Sequence, residues 1–328
     1  MTSASEFLRC HDVRIPAQPE LTLVVCCYNQ SAYVQEAIVA AERVRAAVDS
    51  ELLFIDDGST DESFELALHA LASSENYLIA TKRNCGLVHS LNTGLGLARG
   101  RLILFIAADD RLLAQGVVAA CRHLNAQAGA RFFLANALYF GDGIKTRPVY
   151  REEHGRYFES APDLRFPIVP SRLPAPLLLQ ATIFRTGFLR SIGGWDADVV
   201  LDDMSMFLRI FSVGPIAGSD FLYDLKLMLS EYRQHVGNTS RRVVYQFQIY
   251  EQCILKYCNA DVQRAELAHA LGTYLLYGIR QRDRGAITVL LRAAARYNAI
   301  GKTLREVVRR VLRRTIRDVT ASGTNARY

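Results

Sequence analysis

Residues Leu21-Thr-Leu-Val-Val-Cys-Cys-Tyr-Asn-Gln-Ser31 set a seven-residue apolar run against a polar turn, and that junction decides the fold. An apolar run of this length without alternation fits a strand buried on both faces. Tyr28-Asn29-Gln30-Ser31 then reads as a turn that caps a helix. The helix expected over residues 32–48 buries Tyr33, Ala37, Val44 and Val48. The same unit recurs. A second strand over 52–55 is stopped by Asp56-Asp57-Gly58-Ser59-Thr60-Asp61, whose last residues are good helix caps. Helix 62–73, strand 77–81 and helix 87–98 follow, the last stopped at Gly100. A fourth strand over 101–107 ends on Asp109-Asp110, and a helix is expected over 113–126. Strand–helix alternation at this spacing predicts an α/β fold with a mostly parallel sheet covered on both faces. Such sheets bind ligands beyond the carboxyl ends of their strands, which is where all three polar turns fall.

The pattern changes after Arg131. A strand is expected over 132–139. Residues 161–177 hold five of the nine prolines and read as an extended loop. A helical segment over 198–211 and a strand over 223–232 come next. From residue 243 onward only helices are expected, over 243–258, 262–281, 284–296 and 302–318. The chain therefore divides into an N-terminal extension (1–20), a main domain (21–240, with halves 21–130 and 131–240) and a C-terminal helical region (241–328).

Composition narrows the function classes. Half of the 328 residues are hydrophobic and 22% are charged, ordinary for a globular protein. Residues 1–19 lack the apolar core of a signal peptide, and no run of about 18 apolar residues suggests a membrane span. The seven cysteines are odd in number and form no C-x-x-C, which argues for a reducing compartment and against a structural zinc site. The expected location is the cytoplasm. The net charge of +6 is concentrated at the end: residues 301–328 carry eight Arg or Lys and two acids.

Two acidic turns carry the chemistry. Asp56-Asp57 and Asp109-Asp110 repel unless cations, backbone donors or hydrogen-bonding ligands offset them. Oxygen donors of this kind suit Mg²⁺ or Mn²⁺, which keep several waters and bridge to substrate phosphates. One such pair alone is explained by helix capping. Two pairs in a parallel-sheet frame, beside the Tyr28-Asn29 turn, point to a site.

Taken in order, these segments resemble family 2 glycosyltransferases. Val24–Tyr33 is similar to the family's opening strand and turn, and Phe54-Ile-Asp-Asp-Gly-Ser-Thr-Asp61 to its second. Asn84-Cys-Gly-Leu-Val-His-Ser-Leu-Asn-Thr-Gly94, Ala98-Arg-Gly100 and Phe105-Ile-Ala-Ala-Asp-Asp110 resemble the Asn-Gly helix and metal-binding strand. Phe184-Arg185, Ile192-Gly-Gly-Trp-Asp196, Leu201-Asp-Asp203 and Phe207-Leu-Arg209 resemble the acceptor-side half, and Tyr232–Ser240 a closing motif. The resemblance implies a GT-A fold, a nucleotide-diphosphate sugar donor (UDP-, GDP- or dTDP-linked), Mn²⁺ or Mg²⁺, and inversion at the anomeric carbon. It implies that Cys26, Tyr28 and Asp57 lie against the base and ribose, with Asn29 and Asn84 near the nucleotide. Asp109 is expected at the ribose or metal, Asp110 as the direct metal ligand and His235 beside the metal or diphosphate. Asp203 is expected as the general base, with Asp202 at the substrate. Two positions depart from the family's pattern: Ala107 stands where Asp-x-Asp has its first carboxylate, and Asp202-Asp203 replaces the commoner Glu-Asp.

The chemistry needs this set. A sugar–phosphate bond breaks when charge on the departing diphosphate is stabilised, and a carboxylate on the opposite face assists the acceptor alcohol. The acceptor is expected to be a glycan, a lipid-linked sugar or a glycoprotein. A nucleotidyltransferase would need a glycine-rich basic loop that Val24–Ser31 lacks; a non-catalytic nucleotide-sugar-binding protein would not need both Asp110 and Asp203. Gly94-Leu-Gly-Leu-Ala-Arg-Gly100 lies between a helix and a strand, the wrong order for a dinucleotide loop, and there is no P-loop. Trp195, the only tryptophan, suits either stacking on an acceptor sugar or the core. In the last helix Leu304, Val307, Val308, Val311, Leu312 and Ile316 recur at helical spacing among arginines. That pattern suits docking on the body or a second subunit, or attachment to anionic lipid, and not nucleic acid.

Overall fold

The computed structural model describes residues 6–15, 17–160, 170–212, 220–235 and 242–324. The chain forms two compact units, Met1–Pro167 with Pro174–His235, and Ile168–Leu173 with Val236–Tyr328.

The first unit is a ten-stranded mixed sheet flanked by helices. Its strands are β1 (Phe7–Asp12), β2 (Leu21–Cys27), β3 (Ser50–Asp56), β4 (Tyr77–Lys82), β5 (Leu102–Ala107), β6 (Arg111–Leu112), β7 (Phe132–Phe140), β8 (Arg147–Pro148), β9 (Thr182–Arg185) and β10 (Phe221–Arg233). The order is β1-β4-β3-β2-β5-β9-β7-β10-β6, with β8 on β7. β4, β3, β2 and β5 are parallel neighbours, as are β7 and β10. Helices α1 (Val34–Arg45), α2 (Ser63–Ala70), α3 (Leu87–Leu97) and α4 (Ala114–Ala126) fill the crossovers. α5 (Glu152–Glu159), α6 (Thr186–Ser191) and α7 (Asp203–Ser212) belong to the later half. The core runs through Leu23, Val25, Phe54, Ile79, Leu104 and Ile183, and every residue of β2 and β3 is buried. This explains why these strands read as unbroken apolar runs.

Four strands, β1, β6, β8 and β9, depart from the sequence expectation. Residues 1–20, expected as an extension, contain β1, which adds antiparallel to β4. Its side chains are mostly exposed, so an edge strand leaves no alternation to detect. β9, only four residues long, inserts antiparallel between β5 and β7. The two-residue β6 pairs with Ser230 and Glu231 of β10, which brings the end of β5 beside the end of β10. One glycine is fixed by packing here: a Cβ on Gly116 of α4 would lie 1.9 Å from the Met228 carbonyl oxygen. Residues 161–169 of the proline-rich stretch and 236–240 of the closing motif lie outside the described residues.

The second unit is helical: α8 (Val243–Tyr257), α9 (Ala260–Gln281), α10 (Arg284–Arg296) and α11 (Ile300–Thr324). Phe247, Ile254, Leu271, Leu275 and Leu290 form its core. Within it, Ser171 donates through its backbone N–H (2.8 Å) and hydroxyl (2.6 Å) to the Glu266 carboxylate. Among the described residues no helix is long and apolar enough to cross a membrane.

Candidate functional site

The site is built at the carboxyl ends of β2, β3, β4 and β5. Register places Cys26 of β2 between Ile55 of β3 and Ala107 of β5. Cys26 is buried, and burial pushes its thiol far above the ordinary range, so it is a neutral wall. Tyr28, two residues further on, is about half exposed.

Asn29 takes a left-handed backbone (φ 53°) and ties two turns together. Its N–H reaches Ser59 Oγ at 2.9 Å, and its Oδ1 accepts from the Thr60 N–H at 2.8 Å. Gln30 N–H to Ser63 Oγ (2.8 Å) and Ser31 N–H to Asp61 Oδ2 (3.0 Å) continue the staple. The side-chain oxygen of Asn29 therefore orders the loop, a role that the sequence assignment to substrate binding missed.

The first acidic pair is satisfied from within. Asp56 accepts from Ser59 N–H (3.1 Å) and the Thr81 hydroxyl (2.6 Å). Asp57 accepts the N–H groups of Cys85 (2.9 Å) and Gly86 (2.8 Å) and pairs with Lys82, which is 1% exposed. A buried ammonium thus balances this turn, and the sequence reading did not anticipate it. Gly58 (φ 74°) is required here, since a Cβ would meet Asn84 N and Lys82 O at 2.9 Å each. Asn84 itself is exposed on the loop after β4.

The second acidic pair splits by role. Asp110 is 1% exposed. Its Oδ1 accepts the Arg233 N–H at 2.7 Å and its Oδ2 the Gln180 amide at 3.1 Å. Burial, then the Asp109 charge, raises its pKa well above the usual carboxylate range. The Asp109 side chain is 13% exposed, with Oδ2 3.0 Å from His235 Nε2. Arg233 Nε holds the Asp109 carbonyl oxygen at 2.6 Å. The Arg233 guanidinium lies over the rings of Tyr33 (4.6 Å) and Phe140 (4.3 Å) and pairs with Glu36, while His235 packs 5.1 Å from Tyr33. Asp110, expected as the direct metal ligand, thus accepts one hydrogen bond on each carboxylate oxygen.

Asp203 opens α7, and its Oδ1 accepts the Leu179 N–H at 3.0 Å. Leu179 and Gln180 belong to one 3-10 turn, Leu179–Ala181, so consecutive residues hold Asp203 and Asp110. Burial, the Asp202 charge and then the Asp110 charge raise the Asp203 pKa well above the usual range, against the Leu179 hydrogen bond. Asp202 is raised as well, chiefly by burial. Of the two roles open to Trp195, its packing favours the core: it is 3% exposed, packs edge-on to Phe105 at 5.0 Å, and gives its indole N–H to the Asp202 carbonyl at 3.1 Å. That bond ties the indole to the backbone of the acidic turn. Asn92 in turn clamps the Trp195 backbone by two bonds of 2.9 Å.

Among the described residues no group of three or more His, Cys, Asp or Glu converges as a metal cage. Asp109 and His235, hydrogen-bonded to each other at 3.0 Å, put one carboxylate oxygen and one imidazole nitrogen side by side, a partial donor set that a divalent cation would complete with water and phosphate.

Comparison with known proteins gives the site its context. The sequence profile of Glycosyl transferase family 2 matches residues 22–187, half of the chain. An uncharacterised protein of Mycobacterium tuberculosis is 25% identical over 203 residues, spanning 60% of this chain and 63% of that protein, less than two thirds of its length. Two solved structures share the fold. Staphylococcus aureus TarS 1–349 in complex with UDP-GlcNAc has a TM-score of 0.56 at 15% identity, covering 88% of this chain and 81% of the other. The mannosyltransferase PcManGT of Pyrobaculum calidifontis, in complex with GDP-Man and Mn²⁺, has a TM-score of 0.56 at 14% identity, covering 90% and 88%.

Proposed function

The chain belongs to glycosyl transferase family 2, and from that membership we propose that it moves a sugar from a nucleotide-diphosphate donor to an acceptor hydroxyl with inversion. The observation that carries this reading is the Leu179–Gln180 turn, which holds Asp203 and Asp110 together at the carboxyl end of the sheet.

In this reading Tyr28, Asn84 and the Cys26 wall border the nucleotide, on a floor made rigid by Asp57, Lys82 and Asn29. Asp109 and His235 hold Mn²⁺ or Mg²⁺, and Asp110 is a positioning residue that fixes the Arg233 backbone two positions before His235. The bound cation supplies charge neutralisation for the diphosphate. Asp203 takes the proton from the acceptor hydroxyl as its oxygen attacks the anomeric carbon. The sugar–phosphate bond breaks, and its electron pair leaves with the nucleoside diphosphate. A carboxylate made more basic by burial is suited to this step. Solved neighbours hold UDP-GlcNAc and GDP-Man, so uridine and guanosine donors are the first to test. The acceptor is a saccharide hydroxyl, free, protein-borne or lipid-linked. The main domain ends near the boundary between the two units, with the helical region after it.

A thermal-shift screen of UDP-, GDP- and dTDP-sugars with and without Mn²⁺ tests the donor half of the proposal. One nucleotide class should raise the melting temperature, more so with Mn²⁺. No shift with any of them would refute it.

A further inference from the structure

We propose that α11 seats the helical unit on a bilayer surface bearing anionic lipid headgroups, an inference that does not depend on the transferase reading. α11 is sharply divided by face. Thr303 is buried, Glu306 and Val307 are partly buried, and Arg310 reaches back to His269 Nε2 of α9 at 2.7 Å, so this side is packed. On the opposite side Ile300, Leu304, Val308 and Leu312 follow one another at four-residue spacing. Leu304 is 48% exposed, and Val308 and Leu312 are each 56% exposed. That spacing makes one continuous stripe along three turns.

Charge decides what the stripe fits. Lys302, Arg305 and Arg309 are exposed beside it. The only acid between residues 300 and 312 is Glu306, already engaged by Arg309 and Arg310. A two-fold contact with a second copy through this stripe would bring two basic margins together, at a cost in repulsion. A negatively charged lipid surface answers both features. The apolar side chains enter the headgroup–acyl boundary, and each basic residue gains attraction at the surface. The sequence adds Arg313, Arg314 and Arg317 against Asp318 further along the same helix.

Sedimentation of the full chain with vesicles tests this. The chain should pellet with mixed phosphatidylcholine–phosphatidylglycerol vesicles and stay in solution with phosphatidylcholine alone, and salt should weaken the binding. Lys302→Gln with Arg305→Gln should weaken it about thirtyfold, at roughly 1 kcal/mol per surface charge lost. The triple variant Leu304→Glu, Val308→Glu, Leu312→Glu should abolish it while keeping the parent melting temperature; if the triple variant melts early, the double variant alone decides. Indifference of the parent chain to anionic vesicles, or unchanged binding by the double variant, would overturn the proposal. So would a parent dimer on gel filtration that the triple variant converts to a monomer without any vesicle binding.

Discussion

Asp109 Oδ2 and His235 Nε2 lie 3.0 Å apart although 126 positions separate them in the chain. The short β6–β10 pairing creates this contact by laying the end of β5 against the end of β10. Arg233 then fixes both sides of it, through its N–H to Asp110 and its guanidinium to the Asp109 carbonyl.

The first prediction separates the two adjacent aspartates. Asp109→Ala should abolish the Mn²⁺-dependent part of donor binding and, with its side chain 13% exposed and one bond to His235 lost, should cost about 1 kcal/mol of stability. Asp110→Ala removes the acceptor for a buried N–H and should cost about 1–3 kcal/mol of folding free energy. Calorimetric titration with nucleotide and Mn²⁺, beside denaturant unfolding, reads both. Loss of metal dependence only in Asp110→Ala would restore Asp110 as the direct ligand.

Lys82 and Asp57 form a buried charge pair beneath the proposed nucleotide site, and breaking it should be costly. Lys82→Met leaves the Asp57 carboxylate without its cation and should destabilise the chain by about 3–5 kcal/mol. Lys82→Met with Asp57→Asn should recover much of that loss. Chemical denaturation of the parent, both single variants and the double variant measures the cycle, and an additive result would show that the pair is not coupled.

Trp195→Phe keeps the ring in the core but deletes the indole N–H that holds the Asp202 carbonyl. One hydrogen bond contributes about 1 kcal/mol to folding, so the variant should lose about that much stability, with kcat lowered and donor affinity unchanged. A rise in acceptor KM at constant kcat would instead favour sugar stacking.

The raised pKa of Asp203 sets opposite pH limbs for rate and stability. The base works unprotonated, so kcat/KM should climb with pH along a limb lying above the ordinary aspartate value of about 3.9. The fold prefers the neutral acid, so its stabilising contribution is complete below the unfolded pKa and is lost as pH rises through the folded one. Asp203→Asn should therefore melt no lower than the parent near neutral pH. A lower melting temperature there would contradict this assignment of its surroundings.

Much of the fold is legible in the sequence because the strands of a buried parallel sheet carry unbroken apolar runs, as in Leu21–Cys27 and Leu102–Ala107. Asp56, Asp57, Asp109 and Asp110 stand out because acids are conspicuous at the ends of such runs. What escapes depends on distance in sequence. Gln180 and Arg233 meet Asp110 only after β9 inserts and β10 returns, and a lone Gln in a short turn gives no periodic signal. Lys82 looks like a surface residue at a strand end, since nothing local shows that the 56–61 turn closes over it. Trp195 is ambiguous because its type suits both core and sugar contact, and only packing against Phe105 resolves it.

In the proposed reaction Asp203 removes the acceptor proton while the nucleotide-sugar is held elsewhere. Calorimetry of Asp203→Asn against the donor that stabilises the parent chain, run beside a turnover assay for released nucleoside diphosphate, tests this most directly. Donor affinity within about twofold of the parent, with turnover reduced by roughly 10²–10⁴, is the predicted result. Near-parental turnover, or loss of donor binding, would contradict it.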